Sequence, residues 1–268
     1  METKFTLPRS DIIKDAVCSF WQVHRDNVLM LNETIIPKGI IEIIFNLEPD
    51  PIHAIVNFEP VIVPRCFIQG YSTAPILLNL QGNQTFFGVV LNPTAVKYIF
   101  HFQPALIANY IIDLTLADAN ICTLWHQLAE QNDFEDRVNI FTSWISDRLP
   151  HLSDREHAFN IFLNSDIQTS VPITSLANQF CYSTRQLSRK IYELTGMNTE
   201  QTLLYKKYLQ ALHLIHNSKL SLTEIAYDCN FCDQSHFIKT FKTYSLLTPH
   251  EYRIKKSNIV GHIFENVH

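Results

Sequence analysis

The chain has 268 residues, with 21 Lys and Arg against 26 Asp and Glu, a formal net charge of −5 and 6 Gly. That length exceeds the usual single hydrophobic core and allows two domains. No apolar run approaches the ~20 residues that span a bilayer and the opening METK carries no secretion signal, so a soluble, cytoplasmic protein with no membrane partner is expected.

Catalytic chemistry has little to work with. So few glycines leave little room for a phosphate-cradling loop, and neither a G-x-S-x-G elbow nor an H-E-x-x-H helix occurs. His24, His53 and His101 fall in the first half of the chain without the His-x-His pair and downstream carboxylate that a cupin-like metal site needs. The expectation is a protein that is not an enzyme, with no catalytic residue, no cofactor and no metal.

From about Asp15 to Asn92 the sequence is rich in Ile, Val, Phe and Thr, with turn residues between the runs VCSFWQV, VLMLNETII, GIIEIIFNLE, HAIVNFE, VIVPRCFIQG, ILLNLQ and TFFGVVL. These runs predict the strands of an antiparallel sheet or barrel-like domain. After Pro93 the period changes, and TAVKYIFHF, ALIANY, ADANICTLWHQLAEQ and FEDRVNIFTSWISDRL predict helices. The fold class is therefore α+β: a β-rich domain with a helical tail over 1–150, then an all-α domain over 151–268. A cup lined by Phe45, Phe58, Phe67, Tyr71, Phe86 and Phe87 would suit a small apolar or amphipathic effector, and the helices after 118 would suit a second chain. The competing reading is core packing for the aromatics and packing on the chain's own sheet for the helices.

The last hundred residues contain one pattern twice, SLANQFCYSTRQLSRKI at 175–191 and EIAYDCNFCDQSHFIKTF at 224–241. Each copy has the outline of a helix, a tight turn and a second helix. Ala177 aligns with Ala226, Tyr182 with Phe231, Leu187 with Phe237, Arg189 with Lys239 and Ile191 with Phe241. The apolar members anchor the second helix of each unit and leave its other face free. On that face stand Arg185, Gln186, Ser188 and Arg189 in the first copy and Gln234, Ser235, His236 and Lys239 in the second, side-chain types that bond base edges and phosphates.

Capping agrees with this division. Ser183 to Gln186 has the form of a capping box, Thr195 and Gly196 close that helix, and Asp233 is preferred over Cys232 as the cap of the second copy. Asn198 to Gln201 opens an amphipathic helix running to about Asn217. At ~1.5 Å per residue it spans roughly 28 Å, close to the ~34 Å between successive major-groove faces of one DNA duplex. Residues 1–164 hold 10 Lys and Arg against 18 Asp and Glu, whereas 165–268 hold 11 against 8, so positive charge is concentrated where the repeat lies. Lys206, Lys207 and Arg253, with Lys255 and Lys256, are the candidate phosphate contacts.

SLTEIAYDCNFCDQSHFIKTFKTYSLLTPHEYR at 221–253 resembles the carboxy-terminal signature of the AraC/XylS transcriptional regulators, and the resemblance extends over about 165–256. It implies a DNA-binding domain of two helix-turn-helix units bridged by one helix, double-stranded DNA and RNA polymerase as partners, and base-reading roles for Arg185, Ser188, Arg189, Gln234, Ser235, His236 and Lys239. The family usually has Gly in the two turns, where this chain has Cys181 and Asn230. Asn tolerates left-handed backbone, whereas Cys there costs of order 1 kcal/mol, so a slightly reshaped first turn is expected.

PKGIIEIIFN at 37–46, FIQG at 67–70 and FGVVLNP at 87–93 resemble an uncharacterised sensor-like domain that precedes AraC-type DNA-binding domains in bacterial regulators. This resemblance covers roughly 10–150 and implies a β-rich domain with a helical tail but no particular binding residue; a small-molecule effector or a homodimer partner are the two roles that fit such a domain. The rivals are an amino-terminal domain that only dimerises and one with a fused enzymatic activity. Cys229 and Cys232 have redox or metal spacing but stand alone, and Cys18, Cys66, Cys122 and Cys181 are scattered, so reduced structural roles are expected.

Overall fold

A computed structural model describes residues 1–149, 151–165 and 172–266. Strand β1 (Glu2–Thr6) leads through the short helix α1 (Asp11–Lys14) into a 19-residue strand β2 (Val17–Ile35), which joins the runs VCSFWQV and VLMLNETII in one element. The strands β3 (Ile41–Asn46), β4 (Ile52–Val56), β5 (Glu59–Val63), β6 (Cys66–Gln69) and β7 (Ile76–Leu91) follow. β2 and β7 pair antiparallel as a long ribbon with register shifts between Arg25 and Leu31, where Asn27 (φ +50°) and Gly82 (φ +71°) take left-handed backbone. Such irregularities bend a ribbon.

One end of the ribbon carries β1 on β2 and β3 and β6 beyond β7; the other carries the β4–β5 hairpin on β7. Every residue of β3 is buried, Glu42 and Asn46 included, which is why its apolar residues do not alternate with exposed ones. The hairpin turns on Asn57 (φ +51°) and Phe58 (φ +67°), the paired left-handed residues that a two-residue hairpin needs.

After β7 come helix α2 (Pro93–Phe100), a 3-10 turn at Pro104–Ile107, strand β8 (Ile111–Asp113), and helices α3 (Asn120–Ala129) and α4 (Phe134–Ser146). ALIANY is thus not the α-helix that its composition suggested. Asn109 takes φ +65° and ends the turn, and the β-branched pair that follows pairs with β6.

The aromatic cup is also corrected. Phe45 and Phe87 are fully buried and pack with Phe20, Phe134 and Phe141 at ring centroid separations of 6.0 to 6.4 Å. Tyr71, Phe67 and Phe86 are buried as well, and Phe58 projects into solvent from its hairpin at 69% exposure. Helices α3 and α4 lie over Phe45 and Phe87, while Phe67 and Phe86 pack in a separate cluster with Ile44, Ile76 and Leu80, so the rings do not line one cup and the packing that competed with it is what they do.

The carboxy-terminal half holds α5 (Asp154–Asn164), α6 (Ile173–Gln179), α7 (Thr184–Thr195), α8 (Thr199–Asn217), α9 (Leu222–Asp228), α10 (Gln234–Ser245) and α11 (Pro249–Lys255). The chain then crosses back to the first half as strand β9 (His262–Asn266), which pairs antiparallel with Leu31–Ile35 of β2. α8 packs against both halves. Its Tyr205 hydroxyl donates to Ser72 O (2.8 Å) and accepts from Gly39 N (3.1 Å), and the Tyr208 hydroxyl donates to Pro37 O (3.0 Å).

Candidate nucleic-acid interface

Each unit is built by the same local rules. In the first, Leu176, Ala177, Leu187 and Ile191 are buried; in the second, Ile225, Ala226, Phe237 and Phe241 are. The small alanine lets the two helices of each unit approach closely. The turns superimpose in their bonding: Tyr182 N donates to Ala177 O (2.9 Å) and Phe231 N to Ala226 O (3.0 Å). Cys181 (φ +53°) and Asn230 (φ +55°) occupy the same left-handed position. The first turn is therefore not reshaped, and Cys181 adopts the backbone that glycine would take at lower cost.

Both second helices are capped as their sequences predict. The Ser183 and Gln186 side chains form the reciprocal capping box of α7, and Asp233 accepts from His236 N (2.7 Å) to start α10. Gly196, at φ +73°, closes α7. A second capping box, Asn198 with Gln201, begins the 19-residue spacer α8.

The free faces narrow the candidate readers. Arg185, Arg189, Gln234, Ser235 and Lys239 are exposed and point away from the buried side of their helices. Gln186 is exposed, but its Oε1 accepts from the Ser183 backbone (2.9 Å) and hydroxyl (2.9 Å). Ser188 is half-buried and accepts from the Thr199 hydroxyl (3.0 Å), and the half-buried His236 ring packs edge-on against Phe231. Tyr192 on α7 and Lys242 on α10 also stand on these faces. The sequence reading did not name them, although both follow from helical spacing, Tyr192 three residues after Arg189 and Lys242 three after Lys239.

Among the phosphate candidates, Lys207 is half-buried and donates to Asn230 O, and Arg253 donates to Leu220 O (2.8 Å). Lys206 is a correction: it is 4% exposed, and its ammonium donates to the carbonyls of Phe162 and Ser165. Because α8 is covered on two sides, a position that looks like a polar face in a sequence wheel is interior here.

A cavity of about 730 Å³ lies between the sheet, α8 and the segment that leads into β9. Trp21, Glu42 and Lys38 line it from the sheet side, Leu209 from α8, and Val260 and His262 from the carboxy-terminal segment. None of the aromatic cup candidates lines it. A chain of polar contacts crosses its wall: Trp21 Nε1 donates to Glu42 (3.0 Å), Lys38 Nζ lies 3.3 Å from Glu42 and 3.4 Å from His262 Nε2, and His262 Nδ1 lies 2.6 Å from Glu33. Arg25 completes the chain on the far side of Glu33 at 3.2 Å. Among the described residues, no group of three or more His, Cys, Asp or Glu is placed to hold a metal ion, and no helix is long and apolar enough to cross a membrane.

Comparison with known proteins agrees with this geometry. Residues 176–255 match the helix-turn-helix domain family, and residues 6–113 match a domain of unknown function, DUF6597. The HTH-type transcriptional activator RhaS of Escherichia coli O157:H7 (strain EC4115 / EHEC) is 30% identical over 117 residues, 44% of this chain and 36% of that protein. The chain thus spans about a third of the length of the curated relatives it matches. An apo lysine-to-alanine variant of ToxT from Vibrio cholerae strain SCE256 has a similar fold, with a TM-score of 0.51 at 12% identity over 88% of this chain and 97% of that one.

Fold and site together define a carboxy-terminal domain of the helix-turn-helix family over residues 176–255. More narrowly, that domain is of the AraC type, and the domain ahead of it is the domain of unknown function.

Proposed function

We propose that the protein is a sequence-specific transcription regulator that lays its two recognition helices, α7 and α10, in consecutive major grooves, and that its amino-terminal domain sets when it does so. The observation that carries this reading is the doubled unit itself: two turns of identical bonding present Arg185 and Arg189 on one helix and Gln234, Ser235 and Lys239 on the other, all exposed, across a 19-residue spacer. Joined by a spacer of roughly 28 Å, close to one helical repeat of DNA, the two faces suit one asymmetric site read by a single chain.

The junction cavity supports the second half of the reading. Its volume falls in the range of small-molecule sites, and its walls come from both the amino-terminal sheet and the long helix of the DNA-binding half. A small effector bound there would touch both and bias their packing. RNA polymerase as the regulated partner belongs to the same proposal, with a second copy of the chain as a partner that the amino-terminal domain would hold.

Selection of bound sites from a random DNA library by the full chain, at two salt concentrations, tests this. One asymmetric motif of about two helical turns is expected. Binding without any enriched motif, lost at modest salt, would count against sequence-specific reading.

A further inference from the structure

The two reading units are attached to the amino-terminal domain in different ways. Ile225, Phe237, Phe241 and Tyr252 of the second unit belong to one continuous core with Phe45 and Phe87 of the sheet. Beyond α11 the chain turns back and is fastened repeatedly: Gly261 N donates to the Tyr252 hydroxyl (3.0 Å), Gly261 O accepts from Ile36 N (2.9 Å), and β9 pairs along β2. Side chains secure the strand. Glu33 accepts from both His262 and Arg25, the Arg25 guanidinium lies 5.2 Å from the centroid of the Phe264 ring, and Ile263 is 3% exposed. Lys256 donates to the carbonyls of Ile215 and His216 at the end of α8.

The first unit has a core of its own, built from Phe159, Phe180, Leu187, Ile191 and their neighbours. Its seam with α2 is polar. Thr94 donates from its backbone and its hydroxyl to Asn160, Lys97 and Tyr98 donate to Glu156, and Asn164 donates to Asn92. The Asn160 amide nitrogen is buried in that seam with no hydrogen-bond partner among the described residues. Hydrogen bonds across such a seam exchange for water at little net cost, whereas opening a shared apolar core exposes its area to water.

We propose that β9 is a latch that fixes the second reading unit to the amino-terminal domain and leaves the first unit to shift about the start of α8, so that the latch residues Glu33 and His262 determine which half-site spacing the protein accepts. The junction cavity lies between the two attachments, with Asn258 to His262 on one wall and Leu163 to Ser165, at the end of the first unit's α5, on another. The spacing role rests on the DNA-reading function proposed above; the unequal attachment does not.

The test uses the full chain, as wild type and as Glu33→Gln/His262→Ala. In wild type, amides of α9 to α11 and of Leu31–Ile35 should exchange with solvent about tenfold more slowly than those of α5 to α7. In the variant, exchange at Leu31–Ile35, β9 and α11 should rise about tenfold while α5 to α7 stay as they were. On the site selected by wild type, inserting one base pair between the half-sites should weaken wild type about tenfold more than the variant. Equal exchange of the two units in wild type would overturn the latch, and that comparison stands even where the variant does not fold. An unchanged spacing profile in a variant with freed β9 amides would overturn the spacing role. Failure to select any DNA site would refute the regulator reading, while the exchange comparison would still decide the attachment.

Discussion

His262 Nδ1 lies 2.6 Å from Glu33 Oε1, a contact that closes a separation of 229 residues and holds the last strand of the chain to the second strand of the sheet. A carboxylate only accepts, so Nδ1 carries the proton, and an ammonium only donates, so Nε2 accepts from Lys38. The neutral imidazole satisfies both neighbours; a protonated one would face Lys38 with like charge.

This arrangement predicts a pH dependence. Burial first, and the Lys38 charge second, hold the His262 pKa below the ordinary imidazole value, against the pull of Glu33 and Glu42. The unfolded ring takes its proton near 6.5 and the folded ring resists, so the unfolded state binds more protons below that pH. Stability should be full above pH ~6.5 and be lost progressively as pH falls below it, toward the lowered value of the folded ring. Burial would raise the Glu33 carboxyl, but His262, Arg25 and Lys38 outweigh it and hold it below the usual carboxylate range, so its contribution is lost only at lower pH. Urea titrations of wild type and His262→Gln should show this part of the pH slope in wild type alone; identical slopes would contradict the assignment.

Tyr208 is fully buried and donates its hydroxyl to Pro37 O, tying the spacer helix to the sheet. Tyr208→Phe keeps the ring and leaves a buried carbonyl without its donor. We expect a loss of about 1–3 kcal/mol in denaturant unfolding. A change too small to measure would mean that the domains are not held together here.

Cys181 takes a left-handed backbone at φ +53° with its side chain exposed. Cys181→Gly should stabilise the protein by about 1 kcal/mol, since the steric cost of a side chain there exceeds the entropy that glycine adds to the unfolded chain. The equivalent change at Asn230 should gain less, because Asn tolerates this conformation. Thermal unfolding of the two variants side by side checks the order.

Lys206 and Lys242 should behave oppositely. Lys206→Met strands the carbonyls of Phe162 and Ser165 and should cost about 1–3 kcal/mol of stability, while the salt dependence of DNA binding stays as in wild type. Lys242→Ala, on the exposed face of α10, should leave stability alone and lower the salt slope by about one ion. The reverse pattern would place α8 rather than α10 against the phosphate backbone.

What the sequence made legible was local. The capping boxes at Ser183 and Asn198, the Asp233 cap, the left-handed turn at Asn230 and the length of α8 are set by residues within a few positions of one another. The ends of the sheet were not legible, because β9 finds its partner across 229 residues and no periodicity within IFEN announces it. Lys206 was misplaced for a related reason: its helix is amphipathic, but the amino-terminal domain and the first unit both cover it. The aromatics suggested a cup because alternation along a strand shows only that residues are apolar, not which cluster they join; α3 and α4 cover Phe45 and Phe87, and Phe67 and Phe86 pack in another cluster. The junction cavity is walled by the sheet, the end of α5, α8 and the lead into β9, segments distant in sequence that no local pattern brings together.

The central claim is that two separate faces read two separate half-sites. Its most direct test is the affinity of wild type, Arg189→Ala and Lys239→Ala for every single-base variant of the selected site. Each substitution should cost about 1–3 kcal/mol and relax specificity in its own half-site only, the two halves lying about one helical turn apart. If both substitutions weakened all sequences alike, or both relaxed the same positions, the two-helix reading would be wrong.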